Sequence, residues 1–118
     1  MCDNVSLKKQ LHEGLALLRA GDLEESIQLA EQAVRTYPDA GAMWELLGVA
    51  YQKVGKPRLA VNALETATLL KPLDTGARFY LAKAYAATGS LDLAVFVFRM
   101  VSDDPKTPIW LLPKVATQ

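Results

Sequence analysis

Residues 44–57 read WELLGVAYQKVGKP. An apolar stretch with helical spacing holds one glycine, Gly48, and runs into a second, Gly55, followed by Pro57. Glycine in a helix interior costs roughly 0.5–1 kcal/mol relative to alanine, so Gly48 needs a structural reason. Glycine just past a helix end accepts the left-handed conformation that other residues resist. Proline suits the first turn of a helix, where its missing N–H costs nothing. The stretch therefore reads as a helix, a tight turn and the start of a second helix.

Outward from this stretch, the same grammar recurs with a period of 34 residues. Gly14, Gly48 and Ala82 fall in register, as do Gly21, Gly55 and Gly89. Leu17 aligns with Tyr51 and Tyr85, Ile27 with Val61 and Val95, and Pro38 with Pro72. A fixed period of this length marks a repeat architecture, in which each unit buries its apolar face against its neighbours. The first helix of a unit shows apolar residues three or four apart, as in Leu7, Leu11, Leu15 and Leu18. Nothing alternates with period two, so no strands are expected. The expected helices cover 6–20, 23–36, 41–54, 57–70, 75–88, 91–102 and a short segment at 108–117. Ser6 and Ser90 are placed to cap helices, and Asp22 to Glu25 has capping-box spacing.

A chain of 118 residues is one domain, 1–118, or a piece of one. Its 51% hydrophobic content exceeds that of disordered segments. The 13 basic residues balance the 13 acidic ones, so no global field draws in nucleic acid or anionic lipid. No apolar run reaches the roughly 18–20 residues of a membrane span, and MCDNVSLKKQ lacks the apolar core of a secretory signal. A cytoplasmic location with no membrane partner is the expectation. Cys2, the one cysteine, has no internal disulfide partner and reads as a frayed, reduced terminus. His12 has no partner at metal-ligand spacing, and no glycine-rich phosphate cradle occurs. No catalytic residue, metal or cofactor is expected, and the chain does not read as an enzyme.

The repeat unit resembles the tetratricopeptide repeat family. The middle unit, 41–74, carries the resemblance through Trp44, Leu47, Gly48, Tyr51, Ala60, Ala67 and Pro72, with Leu64 where the family has an aromatic. Unit 7–40 keeps Gly14, Ala33 and Pro38, and unit 75–108 keeps Leu81, Tyr85, Ala94 and Phe98. The resemblance implies an all-α fold, a right-handed superhelix of three helix-turn-helix units. Residues 109–118 would then be a short C-terminal helix, the start of a fourth repeat or a cap. Gly48, with Gly14 and Ala82, is expected to let the second helix of its unit approach closely. Trp44, Leu47, Tyr51 and Leu64 would fill the space around that contact.

The resemblance also implies that first helices line a concave groove. The places it assigns there are Lys8, Leu11, His12, Leu15, Leu18 and Arg19 from the first unit. From the second come Ala42, Glu45, Leu46, Val49, Gln52 and Lys53, and from the third Gly76, Phe79, Tyr80, Lys83, Ala86 and Ala87. Leu11, Leu15, Val49 and Phe79 would form an apolar stripe. Lys8, Arg19, Lys53 and Lys83 face only Glu45 in charge, so a peptide or amphipathic helix with some acidic residues fits. The leucines serve equally well as packing between neighbouring first helices. Phe79 and Tyr80 are adjacent aromatics that cannot both face one core, so exposure is expected there. Chaperone-binding members of the family clamp a C-terminal carboxylate; the matching places here are Leu11, Leu15, Leu46, Gly76 and Tyr80, none of which fits the clamp. The expected function is a protein–protein interaction scaffold holding a peptide or amphipathic helix. The alternatives are a self-assembly module, associating through the apolar end that holds Ile109, Trp110, Leu111, Leu112 and Val115, or a small chaperone shielding an apolar segment of its partner.

Overall fold

A computed structural model describes residues 4–103. Among them are six α-helices and no strand: α1 (Asn4–Ala20), α2 (Leu23–Thr36), α3 (Gly41–Val54), α4 (Pro57–Leu70), α5 (Thr75–Ala87) and α6 (Leu91–Asp103). The periodicity of the sequence places these elements closely, with α2, α3 and α4 ending where expected. The expected helix at 108–117, the apolar tail and Cys2 lie outside the described residues.

One turn closes all three units. Gly21, Gly55 and Gly89 have φ of 86°, 89° and 89°. At each, the residue after the glycine donates its N–H back five residues: Asp22 to Leu17 at 2.9 Å, Lys56 to Tyr51 at 2.9 Å, and Ser90 to Tyr85 at 2.8 Å. This is the Schellman closure, which satisfies carbonyls left open at a helix end. It also explains a failed expectation. Asp22 precedes α2, but its φ of −83° and ψ of 67° lie outside the extended capping geometry, and its side chain makes no cap bond. Ser6 is likewise no cap; it lies inside α1, where its hydroxyl accepts from the Gln10 amide at 3.3 Å.

Each helix packs on the next, and the first helices of neighbouring units also touch, α1 with α3 and α3 with α5. The second helices α2, α4 and α6 do not touch one another. Helix α3 therefore meets four neighbours and is buried nearly all round, with Met43, Leu46, Leu47, Ala50 and Tyr51 in the core. Leu46 is only 3% exposed, because a central helix has little free face left. Trp44 sits at the edge of this core. It is half-buried, packs against the apolar clusters on both sides of α3, and donates its indole N–H to the Pro38 carbonyl at 2.9 Å.

The glycines of the register answer to different neighbours. A Cβ on Gly48 would collide with the Leu64 side chain, its Cδ2 at 2.7 Å, and would press the Leu64 backbone nitrogen at 3.1 Å. Helix α4 approaches α3 this closely because Gly48 has no side chain. A Cβ on Gly14 would meet Leu46 Cδ2 at 2.5 Å before touching Leu29 of its own unit at 3.4 Å. Gly14 therefore makes room chiefly for a side chain of the next unit. Its own second helix is tied to it by a buried bond, Ser26 Oγ donating to the Gly14 carbonyl at 3.1 Å.

A further device repeats in register. Tyr51 donates its hydroxyl to the Glu31 carboxylate, and Tyr85 does the same to Glu65 at 2.6 Å. Each bond ties the first helix of one unit to the second helix of the unit before it. Burial, then the hydrogen bond and charge of Glu31, pushes the Tyr51 hydroxyl up to about 12. Burial and Glu65 raise Tyr85 as well. Both phenols stay neutral donors well above their ordinary range. Glu31 and Glu65 stand 34 residues apart and carried this signal in the sequence.

Candidate functional site: the concave face

Helices α1, α3 and α5 wall a concavity of about 430 Å³. Leu11, Leu15 and Leu18 line it from α1, and Ala42, Glu45, Leu46, Val49 and Lys53 from α3. Ala77 and Tyr80 line it from α5, with Lys71 and Asp74 at the turn before that helix. Leu11, Leu15 and Leu18 are half-buried and also pack on the core beside α2 and α3. Both readings of these leucines therefore hold: each seals a helix contact and leaves an apolar edge on the concavity.

The charges along this wall are not equivalent. Glu45, only 9% exposed, accepts from Lys71 Nζ at 2.9 Å and from the backbone N–H of Asp74 at 2.9 Å. Asp74 lies 3.8 Å from the same ammonium. The sequence offered Glu45 as a group free to meet a ligand; instead both its oxygens are engaged in fixing the start of α5 against α3. That bond pattern follows from burial, since a carboxylate taken out of water needs partners for its charge.

Lys53 and Lys83 lie over aromatic rings. Lys53 Nζ is 5.0 Å from the Tyr80 centroid, and Lys83 Nζ is 5.7 Å from that ring and 5.4 Å from Phe79. The adjacent aromatics resolve their conflict by diverging. Tyr80 packs on the core and lines the concavity, while Phe79 meets Phe98 of α6 edge-on at 6.1 Å. The rings of Phe79 and Tyr80 also touch edge to face at 5.8 Å. Neither is fully exposed, contrary to expectation, and Phe79 is not part of the concave lining.

Of the groove residues expected from sequence, Leu11, Leu15, Leu18, Ala42, Glu45, Leu46, Val49, Lys53, Gly76 and Tyr80 come together around one space. Lys8, His12 and Arg19 on α1 and Lys83 on α5 are exposed and do not line it. Gln52 is half-buried and outside the lining, with its Oε1 atom buried and without a hydrogen-bond partner among the described residues. The same residues hold no group of three or more His, Cys, Asp or Glu suited to a metal ion, and no helix long and apolar enough to cross a membrane.

The convex side carries a second cleft, which the sequence reading missed. It measures about 570 Å³ and lies between α4 and α6, floored by Leu81 and Tyr85 of α5 and rimmed by Leu69, Leu93, Phe96 and Met100. The repeat register shows how it arises. Glu25, Gln28 and Gln32 of the first unit correspond to Leu59, Asn62 and Thr66 of the second, and to Leu93, Phe96 and Met100 of the third. The fold does not require apolar residues at these places, since the first unit has none, yet Phe96 is 61% exposed.

A family model described as tetratricopeptide repeat matches residues 11–53 and 50–106. Among curated proteins, the PEX5-related protein of Homo sapiens is 32% identical over 77 residues, which is 65% of this chain and 12% of the relative. Among solved structures, the Yersinia enterocolitica type III secretion translocator chaperone SycD matches with a TM-score of 0.84 at 13% identity, over 99% of this chain and 83% of that one. SycD in complex with a peptide of the translocator YopD matches at 0.76 and 13% identity, covering 97% of this chain and 95% of that one. The Sgt2 TPR domain of Aspergillus fumigatus matches at 0.77 and 19% identity, over 95% and 76%. These likenesses carry the fold, and the repeat model covers most of the sequence: the chain belongs to the tetratricopeptide repeat family.

Proposed function

We propose that this chain is a protein-interaction scaffold that holds a peptide or amphipathic helix of its partner along the concave face. The observation that carries the reading is the concavity between α1, α3 and α5, with half-buried Leu11, Leu15, Val49 and Tyr80 converging on one space. An apolar floor with a few polar groups at its edge suits helix-in-groove or extended-peptide recognition. The solved structure of SycD with a YopD peptide lends support, as a similar fold in complex with a peptide. A random library of peptides about 12 residues long, displayed on phage and selected on the purified chain, tests the reading. Selected peptides should lose binding to Val49→Glu and Leu15→Glu variants that keep their helical circular dichroism, and should keep binding to Phe96→Ser. Binding that survives both groove variants and fails with Phe96→Ser would move the site to the convex side.

A second reading, self-association, draws on the third unit. Leu91, Leu93, Val95, Phe96 and Met100 are exposed on α6 alone, and exposed apolar patches of this kind mark interaction surfaces. Under this reading, the mass measured by light scattering rises with concentration, and Phe96→Ser abolishes the rise. A constant monomer mass over the whole range would remove it.

A further inference from the structure

We infer that Lys53, Tyr80 and Lys83 form a seat for one acidic side chain of the segment bound in the concave groove. The inference rests on the groove reading above and narrows it to a recognition rule: apolar anchors on the leucine and valine floor, with an Asp or Glu beside them at α5. Four basic residues were candidates for the groove in the sequence, and the structure sorts them. Lys8, Arg19 and Lys83 lie outside the concave lining, and among the described residues Lys83 alone of the three has its Nζ over a lining ring, that of Tyr80 at 5.7 Å. Lys71, at its edge, is neutralised by Glu45 at 2.9 Å, with Asp74 at 3.8 Å. Lys53 and Lys83 have no carboxylate within ion-pair distance among the described residues.

What those two lysines do have is a shared ring. Their ammonium groups lie 5.0 and 5.7 Å from the Tyr80 centroid. The negative face of an aromatic ring attracts a cation and orients its flexible stem, but it does not cancel the charge. A ligand carboxylate that reaches either ammonium beside this ring gains a charge-assisted hydrogen bond. The acids that could have done this from within the chain, Glu45 and Asp74, are drawn to Lys71 instead. Tyr80 lines the concavity beside Val49 and Ala77, so a charge seated at its ring lies next to apolar anchors. Of the carboxylate-clamp places, which here hold Leu11, Leu15, Leu46, Gly76 and Tyr80 without a lysine or arginine among them, the seat shares only Tyr80.

The test uses synthetic peptides about 12 residues long with a leucine-rich amphipathic core, amidated at the C-terminus. One position is scanned along the peptide as Glu, Gln or Lys, and affinity for the intact chain is read by fluorescence anisotropy. At the best position, Glu should bind about tenfold tighter than Gln in about 50 mM salt, with the ratio shrinking at about 300 mM. In Lys53→Gln/Lys83→Gln the Glu-to-Gln ratio should fall to about one, chiefly through weaker binding of the Glu peptide. A parallel Gln peptide with a free C-terminal carboxylate should gain no comparable affinity, which separates a side-chain acid from a chain end. Glu and Gln peptides that bind alike, yet are lost together in Val49→Glu, would overturn the seat and leave the groove standing. A ratio that persists in the double lysine variant would also overturn the seat. If none of the peptides binds, the groove reading falls, and the seat with it.

Discussion

The seam inside the middle unit and the seam between the first two units use the same register position and differ in what meets it. At Gly48 the neighbour is Leu64, fully buried, whose own backbone nitrogen is within reach of an added Cβ. At Gly14 the neighbour is the tip of Leu46, a side chain from the following unit. Within a unit, then, the glycine sets the distance between two helix backbones. Between units it accommodates a protruding side chain, and side chains adjust where backbones do not.

The largest effect is expected at the rigid seam. Gly48→Ala should lower stability, because overpacking costs roughly 1–3 kcal/mol and exceeds the helix-propensity gain of about 1 kcal/mol. Urea unfolding followed by circular dichroism measures the change. A variant as stable as the parent would mean that α3 and α4 slide apart freely, and the contrast between the seams would disappear.

The tyrosine bonds sharpen the comparison from the other side, since both cross between units. Tyr51→Phe and Tyr85→Phe should each cost about 0.5–1.5 kcal/mol near neutral pH, the worth of a hydrogen bond to a charged group in a partly wet setting. The pH dependence has a definite sign. Each phenol holds its proton more tightly in the folded chain than in the unfolded one, Tyr51 up to about 12. The stabilisation is fully present below the ordinary tyrosine value of about 10 and is lost as pH rises toward about 12, where the unfolded chain has already ionised. Urea midpoints of parent and double variant should therefore converge between about pH 9 and about pH 11.5. A gap that stays constant over that range would show that Tyr51 and Tyr85 titrate normally.

Most of the fold was legible because it is written in period. Helix spacing, the three glycines at the turns and the prolines repeat in register, and each records a local backbone requirement. What the sequence concealed depends on neighbours distant in the chain. Leu46 has the spacing of a groove residue and does line the concavity, but the position of α3 among four helices buries nearly all of it. Glu45 is a plausible ligand contact until Lys71 and the α5 backbone claim its oxygens. Phe79 and Tyr80 were both expected in the groove and exposed, whereas Phe79 turns to Phe98 on α6 and only Tyr80 lines the concavity. Of the basic residues, the two that bracket Tyr80 were indistinguishable by sequence from Lys8 and Arg19. The convex cleft was readable in principle, from Glu25, Gln28 and Gln32 giving way to Leu93, Phe96 and Met100, but only by comparing units at non-consensus places.

The smallest net effect belongs to Gly14, and it is the most discriminating. Gly14→Ala gains helix propensity of about 1 kcal/mol and loses a similar amount by displacing the Leu46 tip, so its stability should stay close to that of the parent. The two contributions separate in a double-mutant cycle. With Leu46→Ala the obstructing Cδ2 is gone, and Gly14→Ala should then become stabilising, giving a coupling of about 0.5–1.5 kcal/mol. The same Leu46→Ala background should leave the cost of Gly48→Ala unchanged, because Leu64 is what Gly48 faces. Equal coupling of both glycines to Leu46 would mean that strain spreads through α3 as a whole, and that the two seams are one.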